Sequence, residues 1–191
     1  TTTVKETPDG GFLMGNPKAK IQLVEYASLS CVHCRDFERE AFGDIKEFVQ
    51  SGRVSFEMRP FLLGAHDIPT TVLVQCSGAE AFYPLVDAWY ADWENNMKPL
   101  QTMDQAQWAA AGKLPPAQRF GAMAEVMQLI PFFAARGISA DQGKACLSDV
   151  AKVEKIAAAT EKASNELDVS STPTFFLNGS KLDYQTLKWV G

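Results

Sequence analysis

The sequence predicts an α/β fold that is interrupted by an all-helical insertion. An apolar run at residues 21–26 is typical of a strand, and apolar residues at steps of three and four after Cys31 give one helical face. Between residues 64 and 149 the composition changes to Ala, Met, Gln and Trp at helical spacing. We therefore expect a discontinuous α/β domain over residues 1–63 and 150–191, with a helical domain inserted at 64–149.

The first half of the α/β domain has the size of a parallel βαβ unit. The strand at 21–26 leads into a helix that begins at Cys31 and stops at Ser51-Gly52, and residues 54–61 form a second strand. A crossover connection of this length joins parallel strands and is right-handed in nearly all proteins.

The remaining elements follow from helical spacing and turn residues. Pro84 fits the first turn of a helix, where its missing N–H has no partner to lose. Asn178-Gly179 predicts a hairpin turn after a strand. The expected helices span 69–81, 104–111, 116–135, 140–147, 151–167 and 184–189, and the expected late strand spans 174–177.

Composition excludes two classes of partner. The net charge is −5, from 18 basic and 23 acidic residues, and no basic cluster is present that would bind a phosphate backbone. We expect no nucleic-acid partner. No apolar run reaches the length of a transmembrane helix, so the chain is not expected to span a membrane. The first residues lack the layout of a signal peptide, which leaves a processed mature chain or a cytosolic protein.

Cys31-Val32-His33-Cys34 carries the chemistry. A Cys-X-X-Cys at the first turn of a helix brings two sulfurs close together, with the first near the unpaired N–H groups and the positive end of the helix dipole. This environment favours the Cys31 thiolate, the nucleophile, and His33 is expected to stabilise it further. Cys34 is more buried, keeps a high pKa and is the resolving cysteine.

Two other interpretations of the cysteine pair are possible. A four-thiolate zinc site presents two close pairs, whereas the other cysteines, Cys76 and Cys146, lie far apart in the sequence. An inert structural disulfide is the second interpretation, but a helix-initiating Cys-X-X-Cys after a strand is typical of redox catalysis. We expect neither a metal nor a cofactor.

Two segments resemble a known family. The strand ending in Glu-Tyr-Ala-Ser-Leu-Ser before the Cys-X-X-Cys, and Ser-Thr-Pro-Thr-Phe-Phe-Leu-Asn-Gly at 171–179, are similar to the DsbA family of periplasmic oxidoreductases in the thioredoxin superfamily. The two segments stand in the family's order around a helical insertion of the expected length. The resemblance implies a thioredoxin fold with an inserted all-helical domain.

The resemblance also implies roles for three residues outside the cysteine pair. Pro173 matches the family's cis-proline, which faces the active-site disulfide and leaves the Thr172 backbone free to pair with a substrate strand. An ordinary trans turn is the alternative. Glu25 matches a buried acid beneath the disulfide, where a carboxyl of raised pKa could relay a proton to or from Cys34. The alternative is a solvated glutamate at a strand edge.

The sequence departs from the family in two places that bear on reaction direction. Val-His stands between the cysteines, where strongly oxidising members have Pro-His, although His33 is retained. Thr172 before the proline also occurs in isomerases of the superfamily. Those isomerases use an N-terminal dimerisation domain, for which the roughly 20 residues before the first long strand leave no room. We expect a monomer.

Cys76 and Cys146 fall on two predicted helices of the insertion. We expect a structural disulfide between them, which would indicate an oxidising compartment. The alternative is two buried thiols that act as small apolar side chains.

The sequence therefore predicts a dithiol oxidase that introduces disulfides into exported polypeptides through a mixed disulfide at Cys31. Reduced unfolded or partly folded polypeptides are the expected substrates, and a membrane quinone-linked enzyme resembling DsbB is the expected reoxidant. The expected location is the periplasm. A reductase or isomerase of the same fold and a non-enzymatic chaperone or binding module are the alternatives.

Overall fold

A computed structural model describes residues 2–183. Six strands of this part of the chain form one sheet in the order β1-β2-β4-β3-β5-β6. The strands are β1 Val4–Glu6, β2 Phe12–Met14, β3 Ile21–Ala27, β4 Val54–Pro60, β5 Thr174–Leu177 and β6 Ser180–Lys181.

Helices connect the strands and form the segment between β4 and β5. They are α1 Val32–Glu40, α2 Phe42–Gln50, α3 Asp67–Val74, α4 Ala79–Ala91, α5 Trp93–Thr102, α6 Gln105–Gly112, α7 Pro116–Val126, α8 Leu129–Ala134, α9 Ala140–Leu147 and α10 Val150–Leu167. The predicted closing helix at 184–189 lies outside the described residues.

The predicted parallel βαβ unit is confirmed. Strands β3 and β4 pair in parallel, with α1 and α2 in the connection between them, and β5 pairs antiparallel with the other side of β3. Glu25 thus lies on a central strand, opposite Met58 of β4 and Phe175 of β5. A side chain on a central strand is buried by the elements that pack on that face of the sheet, unless it is long enough to reach the protein surface.

The chain divides into two compact units. One comprises Thr1–Leu62 and Ala158–Gly191, and the other comprises Leu63–Ala157. The second boundary lies within α10. All residues of the Cys-X-X-Cys and of the Thr-Pro segment belong to the first unit.

Aromatic packing holds α1 against the sheet of the first unit. The Phe37 ring, 3% exposed, lies 4.8 Å from the Phe175 ring and 6.2 Å from the Phe56 ring, measured between centroids. Aromatic pairs at these separations add stability beyond the area that they bury. Because Phe37 lies one turn after Cys34, this packing also sets where the start of α1 meets the sheet.

The second unit has its own core and a disulfide. Trp89 of α4 is 1% exposed and lies 5.5 Å from the Phe132 ring and 6.3 Å from the Phe133 ring, between centroids. Cys76 and Cys146 are joined by a disulfide, with their Cα atoms 5.9 Å apart. The bond connects the chain just after α3 to α9.

Three predicted helices are interrupted. The helix expected from Cys31 to Ser51 breaks at Ala41 (φ −124°, ψ −24°), and the one expected at 116–135 breaks at Gln128 (φ 57°). The helix expected at 69–81 is divided into two: α3 ends at Val74, and α4 starts after Gly78 (φ 86°). Apolar residues keep their helical spacing across such breaks, so the spacing did not reveal them.

The predicted place of Pro84 is wrong. It lies inside α4, which starts five residues earlier at Ala79, and not in the first turn of a helix. A proline there removes the hydrogen bond to the carbonyl of residue 80. Pro84 and Glu80 are both exposed, so this part of α4 lies at the protein surface.

The N-terminal hairpin was not predicted. Strands β1 and β2 pair antiparallel, and β2 pairs with β4. Thr7 N–H donates to the Gly11 carbonyl in the turn, and Gly10 has a φ of 79°, which glycine adopts without strain. Pro8-Asp9-Gly10 is a recognisable turn signal, but the flanking strands are too short to show alternation.

Candidate active site

Cys31 and Cys34 lie at the start of α1. Cys31 is the N-cap residue, with extended backbone angles (φ −88°, ψ 120°), and its Sγ accepts the N–H of Cys34 at 3.3 Å. Both cysteines are free thiols, so the structure shows the reduced pair. The N-cap position places the Cys31 sulfur where the first N–H groups of the helix lack backbone partners.

The pKa of Cys31 is lowered from its ordinary value to about 6. The largest cause is a hydrogen bond from the Cys34 thiol; partial burial opposes it, and the Thr172 side chain and the N–H groups of Cys34 and His33 add to the lowering. These donors favour the charged form of the sulfur. At neutral pH, Cys31 is therefore mostly a thiolate.

Thr172 meets the Cys31 sulfur from the other side. Its carbonyl oxygen lies 3.5 Å from Cys31 Sγ, as an acceptor for the thiol proton, and the Thr172–Pro173 peptide bond is cis. The two contacts of Thr172 oppose each other, because the carbonyl favours the thiol and the side chain favours the thiolate. The hydrogen-bond donors to the Cys31 sulfur have the larger effect, since the pKa of Cys31 is lower than its ordinary value.

Cys34 has the opposite electrostatics. It is 1% exposed, and burial, followed by its hydrogen bond to Cys31 and the charges of Glu25 and Cys31, raises its pKa well above the ordinary thiol value. A backbone hydrogen bond from Ser28 lowers the pKa of Cys34 in part. The two sulfurs therefore differ in protonation at neutral pH: Cys31 is charged and Cys34 is not.

Glu25 is a buried acid whose charge interacts with both cysteines. It is 4% exposed, and its Oε2 is buried with no hydrogen-bond partner. Burial, and then the negative charge of Cys31, raise the pKa of Glu25 well above its usual range. An uncharged carboxyl in this position carries a proton that it can exchange with a neighbouring group.

Glu25→Gln should stabilise the protein at high pH. Because the folded-state pKa of Glu25 is raised, folding stability is lost as pH increases from about 4.3 towards that pKa. Glutamine has no charge to bury, so we expect a gain of about 1–3 kcal/mol at pH 8 and little change at pH 4. Urea unfolding of the reduced protein at both pH values measures the difference.

Glu47→Gln is the matched control, since Glu47 is exposed on α2. A Glu25→Gln gain that is the same at pH 4 and pH 8 would contradict the buried-acid interpretation.

His33 lies at the surface. Its side chain is 63% exposed, and Nδ1 is 3.8 Å from Asp36 Oδ2. Its backbone N–H is the part that hydrogen-bonds to the Cys31 sulfur. Asp36 also accepts from Arg35 Nη2 at 2.6 Å, so the imidazole lies beside a paired carboxylate.

The described residues weigh against the zinc interpretation. Cys76 and Cys146 are bonded to each other and cannot join the motif cysteines around a metal. Within residues 2–183, no cluster of three or more His, Cys, Asp or Glu side chains could hold a metal ion.

None of the helices in the same range is long and apolar enough to cross a bilayer.

One residue with contacts to both cysteines was missed from the sequence. The Ser28 carbonyl accepts the Cys31 N–H at 3.2 Å, and the Ser28 backbone also hydrogen-bonds to Cys34. A serine between a strand end and a helix-capping cysteine is a signal for such a turn.

Comparisons with known proteins identify the family. A family model described as thioredoxin matches residues 7–190. A crystal structure of a protein-disulfide isomerase from Novosphingobium aromaticivorans is 34% identical, with a TM-score of 0.87 and 94% of each chain covered. Wolbachia pipientis alpha-DsbA1 is 25% identical, with a TM-score of 0.67, over 86% of this chain and 73% of that one.

The curated relatives are longer proteins. A Rickettsia bellii protein, provisionally named a protein-disulfide oxidoreductase, is 23% identical over 183 residues, which are 95% of this chain and 62% of the relative. The predicted fold is confirmed by these likenesses. Since the family model matches nearly the whole chain, the chain belongs to the thioredoxin family, and its solved neighbours include DsbA proteins.

Proposed function

We propose that this chain is a protein thiol-disulfide oxidoreductase that acts as a dithiol oxidase on exported polypeptides. The observation that carries the proposal is the contrast between the two sulfurs: the pKa of Cys31 is lowered to about 6, and that of Cys34 is raised. A stable thiolate is a good leaving group and favours the reduced form of the pair, which makes the disulfide an oxidant.

In the first step, a substrate thiolate attacks Cys31 of the Cys31–Cys34 disulfide. A bond forms between the substrate sulfur and Cys31 Sγ, and the bond between the two enzyme sulfurs breaks. Cys34 leaves with the electron pair and takes up a proton, because burial disfavours its charge. Glu25, an uncharged acid beneath the pair, is the proposed source of that proton.

In the second step, the second substrate thiolate attacks the substrate sulfur of the mixed disulfide. The substrate disulfide forms and Cys31 leaves as a thiolate, which its hydrogen bonds stabilise. The substrate loses two electrons and the enzyme pair gains them. We assign the exposed His33 imidazole a supporting role in holding the Cys31 thiolate.

Substrate contacts are proposed at Thr172 and Pro173. A sulfur bound to Cys31 lies beside the Thr172 carbonyl, which is 3.5 Å from Cys31 Sγ. A substrate strand can pair there through its backbone, without regard to sequence. Val32, 38% exposed, adds apolar surface next to the reactive sulfur.

Further proposals follow from the family. The substrates are reduced unfolded or partly folded polypeptides in the periplasm, and a membrane quinone-linked enzyme resembling DsbB reoxidises the chain, which acts as a monomer. The Cys76–Cys146 disulfide supports an oxidising compartment. We propose that the unit of Thr1–Leu62 and Ala158–Gly191 is the thioredoxin-like domain, expected at 1–63 and 150–191, and that Leu63–Ala157 is the inserted helical domain, expected at 64–149.

A second candidate is a protein-disulfide isomerase. The likeness to the Novosphingobium protein favours it, since that protein carries the name isomerase. An isomerase works from its reduced form on wrongly paired disulfides, whereas an oxidase works from its oxidised form on dithiols.

The oxidised chain should convert a reduced two-cysteine peptide to its disulfide, one peptide per chain. We also expect a reduction potential between about −270 mV, the value for thioredoxin, and about −120 mV, the value for DsbA. The reason is that the Cys31 pKa of about 6 lies between about 7 for thioredoxin and about 3.5 for DsbA. Mass spectrometry of the alkylated peptide measures the fraction of peptide that is oxidised. Mass spectrometry of the alkylated chain, after equilibration with reduced and oxidised glutathione, gives the reduction potential.

The reduced chain with a scrambled-disulfide substrate is the companion assay. Rapid reshuffling by the reduced chain, with little peptide oxidation by the oxidised chain, would establish the isomerase instead. A potential at or below the thioredoxin value would favour a reductase.

A further inference from the structure

Ser28 touches both active-site cysteines although it lies outside the Cys-X-X-Cys. It is the first residue after β3 and is 2% exposed. Its carbonyl accepts the Cys31 N–H at 3.2 Å, and its backbone N–H hydrogen-bonds to the Cys34 sulfur. The backbone of one buried residue thus contacts the attacking cysteine on one side and the resolving cysteine on the other.

The Ser28 hydroxyl holds this backbone in place. Its Oγ accepts the N–H of Ser30 at 3.1 Å and lies 3.1 Å from Ser30 Oγ. A serine hydroxyl that accepts a backbone N–H two residues ahead closes a local turn. The side chain therefore constrains the same segment whose backbone contacts the two cysteines.

We propose that Ser28 is a positioning residue for the active site: its hydroxyl fixes the turn between β3 and α1, and the turn fixes the Cys31 sulfur relative to its hydrogen-bond donors. This inference rests on the proposed function, since it assigns Ser28 to the same reaction. In this role the hydroxyl acts through the backbone.

The position of the turn matters because donors must converge on one sulfur. Cys34 N–H lies 3.3 Å from Cys31 Sγ, and the strength of a hydrogen bond falls steeply with distance and angle. A Cys31 sulfur displaced from this point loses part of the stabilisation of its charge. One weakened hydrogen bond corresponds to a pKa change of about half a unit to one unit.

Ser28→Ala should therefore raise the pKa of Cys31 by about half a unit to one unit. Thiolate absorbance across a pH series, with the oxidised protein subtracted, measures the change; Cys34 does not interfere, because its own pKa is raised. Ser28→Thr retains the hydroxyl and should return the titration midpoint towards that of the wild type.

Ser30→Ala is the matched control. It removes a hydroxyl from the same loop and retains the hydrogen bond from the backbone N–H of residue 30 to Ser28 Oγ. We expect its Cys31 titration to match the wild type. In the wild-type chain, the Ser30 amide should also exchange its hydrogen more slowly than an open loop amide, which tests the turn without any substitution.

Three results would overturn the inference. They are a Ser28→Ala titration that matches the wild type even if thermal stability falls, equal shifts in Ser28→Ala and Ser30→Ala, and a Ser30 amide that exchanges at the open-loop rate. Failure of the wild-type chain to oxidise the two-cysteine peptide would instead contradict the proposed function, and the titrations would still decide the role of Ser28.

Discussion

Cys31→Ser is expected to abolish disulfide transfer to a two-cysteine peptide completely. Serine cannot form the disulfide that accepts the two electrons of the substrate, and its hydroxyl does not ionise near pH 6 as the Cys31 thiol does. Peptide oxidation by wild-type and variant chains, each incubated with oxidised glutathione, is the measurement.

Cys34→Ser is the matched companion to this substitution. It retains the Cys31 thiolate but removes the resolving sulfur, so a substrate disulfide that Cys31 attacks should remain bound as a mixed disulfide that persists on non-reducing gels. If Cys31→Ser oxidised the peptide as fast as the wild type, a non-enzymatic binding module would remain as the function.

Removing the Cys76–Cys146 disulfide should lower the free energy of unfolding by about 4 kcal/mol. The bond closes a loop with a sequence separation of 70, and in the chain-entropy model a loop of this length restricts the unfolded chain by that amount. Urea unfolding of the Cys76→Ala/Cys146→Ala variant measures the change.

Both proteins in that comparison should also carry Cys31→Ser and Cys34→Ser, so that the active-site pair has the same state in each. A difference below about 1 kcal/mol would show that this disulfide does little to stabilise the chain. The peptide oxidation assay, run with the native active site, then shows whether the helical unit's disulfide affects the reaction.

Local patterns predicted much of the fold around the site. The strand before Cys31, the helix after it and the strand from Val54 have strong periodic signals, and their parallel pairing follows from the length of the connection. The strand from Thr174 to Leu177 was predicted with its bounds, because a turn signal follows it directly.

The misses have a common cause: they depend on contacts that neighbouring residues do not encode. The hairpin of β1 and β2 exists because β2 pairs with β4, more than 40 residues later. The break at Ala41 leaves the apolar spacing intact, and Pro84 lies in α4 where both it and Glu80, one turn earlier, are exposed.

The sequence pointed to the residues of the site and to the directions of their pKa shifts, but not to their individual contacts. Spacing identified the cysteine pair, and the resemblance to DsbA proteins pointed to Glu25 and the Thr-Pro segment. The orphaned Glu25 oxygen and the Ser28 contacts depend on the three-dimensional arrangement of residues around the end of β3 and the start of α1, which local patterns do not encode.

The contact between Cys31 and Thr172 joins residues 141 positions apart in the chain. A ribosome adding about 5–20 residues per second completes Thr172 roughly 7–28 s after Cys31. During that interval a growing chain holds up to four cysteines, which can pair in three ways when all are present. A nascent chain that stops short of Thr172 therefore carries the reactive cysteines without the residue whose carbonyl contacts the Cys31 sulfur.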